Sequence, residues 1–150
     1  MKKKQILYII LFAVLAGGAY AVYMYNLPKR DFDSEEAKFT TTTVELVNEL
    51  KQDFDTTRKK YYEQVIQFEG VVSEIQEKED SAGSIIFVYM KPSDDYDVIT
   101  EMLTKYNEEA GKLKAGDKVT LKAKFNGAIE PDEMFEEDGS VLFFGGSIIK

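Results

Sequence analysis

The sequence contains no cysteine and no histidine, and these two absences exclude several kinds of site. Structural zinc sites are built from these residues, so we expect no such site. Disulfides, thiol nucleophiles, histidine bases and a lipid-modified cysteine are excluded with them. The absence of cysteine does not identify the cellular compartment, because disulfides are permitted outside the cytosol but not required there.

Acidic residues are missing from the first thirty positions, and this makes the charge of the chain uneven. All 27 acids lie beyond residue 30, whereas five of the 19 basic residues precede residue 31. The remainder of the chain therefore carries 14 − 27, or −13. Because phosphate backbones are bound by Lys and Arg, this charge makes nucleic acid and anionic lipid unfavourable partners for the domain.

Charge is also absent from Ile6–Tyr25, whose length matches the roughly 30 Å hydrocarbon core of a bilayer. Lys2–Lys4 precede this segment, and Lys29 and Arg30 follow it. The basic bias across the segment is small, and it favours a domain outside the cytoplasm. We interpret residues 1–26 as a single transmembrane anchor in the inner membrane.

A cleaved signal peptide is the alternative interpretation of the same segment. Ala19–Ala21 has the small-x-small pattern of a cleavage site, and cleavage near Ala21 would release the domain to the periplasm. We favour the anchor because apolar residues continue through Val22–Met24.

A linker is expected over residues 27–41, followed by one domain over residues 42–150. Thr42 and Glu45 have the spacing of a helix capping box. Apolar residues then recur at helical spacing, which predicts one amphipathic helix of about 17 residues. These residues are Val47, Leu50, Phe54 and Tyr61.

The remainder of the domain has the shorter period of β-strands. We expect the first strand to bend at Gly70–Val72, since glycine within a strand often marks a bulge, and a polar turn to follow at Glu77–Gly83. Thr104–Leu113 is expected to be helical, and Ile129–Gly139 an acidic loop. The five predicted strands are Val65–Glu74, Ser84–Met90, Asp97–Thr100, Val119–Phe125 and Val141–Ile149.

This order of elements is mainly β with helices. Five short strands, with a helix between the third and fourth, predict an OB-fold, a small Greek-key barrel. The amphipathic helix precedes the barrel and would cap one open end.

The segments Val44–Ile75 and Leu113–Gly127, together with Met24–Arg30, resemble the tRNA-anti-like family of small bacterial OB-fold proteins. The resemblance implies the fold. Members often carry cysteines in the fourth and fifth strands, where Phe125 and Gly145–Ser147 stand here, so any role of that pair is absent. The family name records similarity to anticodon-binding domains, and a fold alone does not confer tRNA binding.

Phe87 and Tyr89 on the second strand, with Lys122 and Lys124 on the fourth, are the candidate ligand-binding residues. Aromatic side chains beside cations are how OB-folds hold single strands. Our preferred interpretation is that the two aromatic residues belong to the core and that the lysines are solvated.

The acidic clusters are expected to be solvated loops, because neither has the spacing of a calcium-binding loop. Without histidine no Ser-His pair can form, and we find no pair of carboxylates on rigid strands for acid–base chemistry. We therefore expect no catalytic residues, metal site or cofactor. The clusters are Asp94, Asp95 and Asp97, and Asp132, Glu133, Glu136, Glu137 and Asp138.

The expected function is that of a membrane-anchored, extracytoplasmic binding or scaffolding module that is not an enzyme. Its partner would be another envelope protein, a peptide or a saccharide. The alternative is a single-stranded nucleic-acid-binding protein, which would need a basic groove and a cytoplasmic location.

Overall fold

The computed structural model describes residues 3–26, 32–81 and 83–150, which fall into two compact units, Met1–Arg30 and Asp31–Lys150. The first unit is the helix α1 (Lys3–Tyr25). Among the described residues, no helix reaches the length and apolar character needed to span a membrane. Side chains 6–12 of the predicted anchor and residues 27–31 of the predicted linker lie outside the description.

The second unit begins with elements that pack beside the barrel. A short strand, β1 (Phe39–Thr42), lies within the segment that we expected to be a linker. It leads directly into α2 (Thr43–Gln52), whose capping box is present as predicted. The Thr42 hydroxyl accepts from the Glu45 N–H at 3.1 Å, and the Glu45 carboxylate accepts from the Thr42 N–H at 3.1 Å.

The single helix of about 17 residues predicted from the sequence is wrong, because the chain breaks at Asp53. Asp53 adopts an extended backbone, and its carboxylate accepts from the Thr56 N–H at 3.1 Å, which starts a second helix, α3 (Phe54–Tyr61). Asp competes for backbone donors in this way and so favours helix starts. The apolar spacing persists across the break, which is why periodicity did not reveal it.

The barrel is formed by five strands, β2 (Val65–Asp80), β3 (Gly83–Ser93), β4 (Tyr96–Met102), β5 (Lys118–Ile129) and β6 (Gly139–Ile149). Successive neighbours around it are β2, β3, β4, β6 and β5, and β5 closes onto β2. The β4–β6 pair is parallel, and the other four pairs are antiparallel. This closed five-stranded arrangement is the OB-fold that the sequence predicted.

Strand β2 serves two sides of the barrel. Its first half pairs with β5, from Val65 to Val71, and its second half pairs with β3, from Val72 to Asp80. The register shifts between Val72 and Glu74, two residues after Gly70, so the bend predicted at Gly70–Val72 is confirmed in place. A Cβ at Gly70 would come within 2.5 Å of the Met90 sulfur and 2.8 Å of Thr43.

Two shorter segments differ from the prediction. The polar stretch Glu77–Gly83 is mostly strand, because β2 continues to Asp80 and β3 begins at Gly83. Glu77, Lys78 and Glu79 are exposed, and the alternation of apolar and polar residues that marks a half-buried strand is missing there. The predicted helix Thr104–Leu113 is reduced to a 3-10 turn, Thr104–Tyr106, and one helical turn, α4 (Asn107–Ala110).

The core fills the barrel and the space beneath α2 and α3. Leu46, Val47 and Leu50 of α2 are at most 1% exposed, so this helix packs its apolar face on the barrel. Within the barrel, the rings of Phe68 and Phe143 stack at 4.3 Å between centroids. Truncating a buried phenylalanine to alanine costs about 3–5 kcal/mol.

The contribution of the capping box at Thr42 to the stability of the domain can be tested directly. We expect Thr42→Ala to lower the free energy of unfolding by about 1 kcal/mol, because the Glu45 N–H loses its acceptor. Urea denaturation followed by circular dichroism measures the change. Thr40→Ala, at an exposed position of the same strand, is the control, and an equal loss in both variants would contradict the capping role.

Candidate functional site

The outer surface of β3 and β4 is where an apolar stripe remains accessible. Side chains along β3 alternate, with Ile86, Val88 and Met90 in the core and Phe87 and Tyr89 half-buried on the outside. Our preferred interpretation of Phe87 and Tyr89 as core residues is therefore wrong. Strand β3 is apolar on both faces, so its sequence could not show which face turns inward.

The stripe continues across the neighbouring strands. Ile99 of β4 lies opposite Tyr89, and Leu142 of β6 lies opposite Ile99. Opposed residues of paired strands project from the same face, so these side chains extend the surface begun by Phe87 and Tyr89. The sequence analysis did not single out Ile99 or Leu142. In the structure the Ile99 side chain lies on the outer face, because it alternates with the buried side chains of Val98 and Thr100.

Polar groups on β2 border the aromatic side chains. Gln76 lies opposite Phe87, and the Gln76 amide oxygen accepts a hydrogen bond from the Tyr89 hydroxyl at 3.3 Å. The Lys78 ammonium lies 5.2 Å from the centroid of the Phe87 ring, within the range of a cation–π contact. These contacts fix the orientation of both rings.

Acidic side chains surround the same stripe. Glu74 lies opposite Tyr89 on β2, and Glu101 lies opposite Phe87 on β4. Asp97, near the start of β4, pairs with Lys91 at 3.5 Å, and Lys91 also pairs with Asp138 at 2.7 Å. The surface is therefore apolar at its centre and mainly acidic at its margin. We call it the acidic-rimmed face, defined by Phe87, Tyr89, Ile99 and Leu142 with Glu74, Asp97 and Glu101.

The two candidate lysines lie elsewhere on the barrel. Lys122 and Lys124 of β5 are opposite Gln67 and Val65 of β2, whereas Phe87 is opposite Gln76. Gln67 and Gln76 are nine positions apart on β2, and the bend of the strand falls between them. The structure thus divides the four candidate residues into two pairs on different parts of the surface.

Both lysines hold structural contacts. The Lys122 ammonium donates to the backbone carbonyl oxygens of Asp33 and Glu35, at 2.7 and 2.9 Å. The Lys124 ammonium contacts both carboxylate oxygens of Glu63 at 3.1 Å, and its side chain is 14% exposed. Neither lysine is simply solvated, as we had preferred, and both are occupied by groups of the domain itself.

Residues 32–38 form a segment, here named the strap, that lies across this lysine-bearing surface. Phe32 is 8% exposed, and its ring packs edge-on against Phe144 at 6.0 Å and directly over Gly145. Gly145 has φ +71°, a conformation suited to glycine, and a Cβ there would lie within 2.5 Å of the Phe32 ring.

Asp33 joins the strap to the turn after β4. Its carboxylate accepts from the Lys105 ammonium at 2.6 Å and from the Tyr106 hydroxyl at 2.8 Å. The hydrogen bond from Lys105 is the main cause that lowers the pKa of Asp33, while burial opposes this effect. The same carboxylate raises the pKa of Tyr106.

The acidic clusters are engaged in ion pairs and turns. Asp95 contacts the Lys51 ammonium at 2.6 Å, which lowers the pKa of the Asp95 carboxyl. Asp132 accepts from the backbone N–H of Met134 at 2.9 Å and pairs through its backbone with Glu137. Within the described part of the chain, no three acidic side chains are grouped so as to hold a metal ion.

Comparison with known proteins agrees with this geometry. The family model described as tRNA_anti-like matches residues 1–136. The chain belongs to the tRNA_anti-like family. The resemblance seen in the sequence is thereby confirmed, and no curated protein matches the chain.

Three solved structures are similar to the chain at low sequence identity, and one of them has a TM-score above 0.5. A structure from Klebsiella pneumoniae, described as a putative nucleic acid-binding lipoprotein, is 14% identical with a TM-score of 0.58, over 83% of this chain and 100% of that one. Yeast Stn1 and Ten1 give 12% identity and a TM-score of 0.42, over 78% of this chain and 65% of that one. An aspartyl tRNA synthetase from Entamoeba histolytica gives 10% identity and a TM-score of 0.42, over 77% of this chain and 26% of that one.

The Asp33 contacts predict acid sensitivity. A carboxyl whose pKa is lower in the folded state stabilises the fold above its unfolded pKa, and this contribution is lost as the pH falls through the folded value. We expect the free energy of unfolding to decrease below about pH 4, the range where a free Asp titrates. Asp33→Asn should be less stable at pH 7 and show a shallower decrease.

Urea denaturation between pH 3 and pH 7 measures both effects. Glu133→Gln, in the exposed loop after β5, is the matched control and should follow the wild-type profile. A decrease of the same steepness in Asp33→Asn and wild type would contradict the role of Asp33.

Proposed function

We propose that this tRNA_anti-like protein is a membrane-anchored module outside the cytoplasm that binds a neutral or basic ligand and catalyses no reaction. The observation that carries the proposal is the acidic-rimmed face. Its half-buried Phe87, Tyr89 and Ile99 lie on β3 and β4, the second and third strands of the barrel, which OB-folds commonly use for ligands.

The charge of the face selects the ligand class. A polyanion would meet Glu74 and Glu101 beside the apolar stripe, in a domain of charge −13. A polypeptide segment with apolar and basic side chains would gain both apolar contact and charge complementarity. We therefore favour a segment of another envelope protein over a saccharide, which would use the aromatic rings and not the acidic margin.

Single-stranded nucleic acid is the second candidate, and its support comes from the description of the Klebsiella pneumoniae lipoprotein. That similarity concerns the fold, and a fold does not determine the ligand. In this chain Lys122 and Lys124 contact the strap and Glu63, so these two cations do not form a groove beside Phe87. This arrangement favours the peptide.

Absence of catalysis is supported by the state of the acidic side chains. Lys91 bridges Asp97 and Asp138, and Glu49 accepts hydrogen bonds from Lys60 and Tyr61. These carboxylates are engaged by cations and a hydroxyl of the domain itself, whereas acid–base catalysis needs a carboxyl placed to exchange a proton with a substrate.

Anchoring is supported by α1. Its described apolar side chains are exposed in the single chain, including Val14 at 66% and Leu15 at 63%. A helix that is apolar on all sides needs an apolar environment, and a bilayer provides it. Lys2–Lys4 precede the uncharged segment Ile6–Tyr25, which favours a cytoplasmic N-terminus.

The location is tested by protease treatment of intact cells and spheroplasts, with membrane fractionation of the same samples. We expect the full-length chain in the membrane pellet and digestion of the domain in unlysed spheroplasts, where protease reaches the outer face of the inner membrane. A chain in the soluble fraction, shortened near Ala21, would support the signal peptide instead. Digestion only after lysis would contradict the extracytoplasmic location.

Ligand class is tested by fluorescence anisotropy with four labelled probes on the full-length chain in nonionic detergent. The probes are a peptide of alternating Lys and Tyr, the same peptide with Glu for Lys, chitotetraose and a ten-nucleotide dT strand. We expect the basic peptide to bind most tightly and its affinity to fall with salt, because surface charges are screened.

The face is tested by Phe87→Ala with Tyr89→Ala, which should weaken binding of the basic peptide about tenfold, since stacked or buried aromatic side chains dominate such contacts. Val44→Ala, which truncates a half-exposed apolar residue on α2, is the matched control. Tighter binding of dT would contradict the proposal, as would equal affinity of the double variant and wild type.

A further inference from the structure

A concave surface lies at the end of α3, on side chains that the proposed function does not use. It is a cavity of about 360 Å³. Its lining combines two basic side chains, one aromatic side chain and a stretch of β5. The lining residues are Arg58, Lys59, Tyr62, Asn126, Gly127 and Ala128.

The basic wall is unusual in this domain. Arg58 and Lys59 belong to the only run of three consecutive basic residues beyond residue 30. Arg58 contacts Asp55 at 3.4 Å, but that carboxylate is 74% exposed, and such exposed pairs contribute little. The guanidinium can therefore exchange this partner for a bound anion at small cost.

The aromatic wall is held in place by a strained turn. Tyr62 is 54% exposed, whereas its neighbour Tyr61 is 2% exposed. The next residue, Glu63, has φ +60°, which is unfavourable for a residue other than glycine. Its N–H donates to the Phe125 carbonyl at 3.1 Å, and the Phe125 N–H donates to the Gln64 carbonyl at 2.9 Å.

These bonds fix the turn against β5 and keep Tyr62 directed outward. Arg58 and Tyr62 are four residues apart at the end of α3, so their side chains lie on one side of the helix. The Tyr62 N–H donates to the Arg58 carbonyl at 3.0 Å, which continues the helical geometry to the aromatic residue. A cation and an aromatic ring are thus presented together by rigid backbone.

The floor is formed by an irregularity in β5. The pairing of β5 with β6 shifts register between Phe125 and Gly127, as at a β-bulge. A Cβ added to Gly127 would meet nothing within 4 Å, so space is open above this residue. The cavity is therefore lined by Tyr62, which is next to the strained backbone of Glu63, and by a bulge in β5. Such features concentrate at binding sites.

We infer that this cavity binds the carboxylate of a small ligand with a flat apolar body. The carboxylate would contact Arg58 and Lys59, since a guanidinium fork matches carboxylate geometry. The apolar body would pack on Tyr62 and over Gly127. A monoanion fits better than a phosphate, because the negative charge of the domain opposes a dianion more strongly. The ligand is either a free aromatic acid or the C-terminus of a chain that ends in an aromatic residue.

The test is an NMR titration of the ¹⁵N-labelled full-length chain in nonionic detergent. The probes are phenylacetate, phenylacetamide, phenyl phosphate, and the peptide Gly-Gly-Phe with a free or an amidated C-terminus. We expect saturable shifts of the backbone N–H signals of Tyr62, Gly127 and Ala128 with phenylacetate or with the peptide whose C-terminus is free. We expect no shifts with phenylacetamide or the amidated peptide, which lack the carboxylate. Binding of phenylacetate alone identifies a free acid, and tighter binding of the free peptide identifies a chain terminus.

Three variants test the residues. Arg58→Gln and Lys59→Gln are each expected to weaken binding about fivefold, the loss of one exposed charge pair. Gly127→Leu should fill the open space and abolish binding while the remaining spectrum stays folded. Lys112→Gln, which removes an exposed lysine paired with Glu108, is the control and should bind as wild type.

Three results would overturn the inference. They are equal shifts by phenylacetate and phenylacetamide, tighter binding of phenyl phosphate, and unchanged affinity in Arg58→Gln and Lys59→Gln. None of these results bears on the acidic-rimmed face, which is probed by other residues and other ligands.

Discussion

The bend of β2 is the constraint on which the rest of the barrel depends. One strand of sixteen residues pairs with β5 along its first half and with β3 along its second, so closure requires a change of direction near Gly70. The absence of a side chain at Gly70 lets Met90 of β3 and Thr43 of α2 approach the strand. The same position therefore connects the barrel to the helix that covers it.

The strap is the second feature that organises the domain, because it occupies the surface that carries the basic residues of β5. Alternation along β5 correctly places Lys122 and Lys124 on the outside, where a groove for nucleic acid would need them. In the folded domain Lys122 instead donates hydrogen bonds to two carbonyl oxygens of the strap, and Lys124 pairs with Glu63. In this acidic domain both lysines therefore contact groups of the domain itself, one on the backbone and one on a side chain.

Several elements followed from local sequence because their cause is local. The capping box at Thr42, the bend near Gly70 and the alternating strand β5 were all predicted and are all present. The break at Asp53 was missed although its cause is also local, since an Asp at the centre of an amphipathic pattern looks like an ordinary solvent-facing residue. The strand β1 was missed because its partner, the first half of β2, lies more than twenty residues away in the sequence.

The sequence by itself determined the fold class, since alternation, glycine placement and capping depend on neighbours within a few residues. It also determined the charge balance, which is a sum over residues and does not depend on how they pack. Only the tertiary structure decided which face of β3 points outward, because both faces are apolar and the choice depends on what packs beneath them. Likewise, only the fold could bring Arg58 and Tyr62 beside Gly127, since residues far apart in the chain share a cavity only when strands and helices pack together.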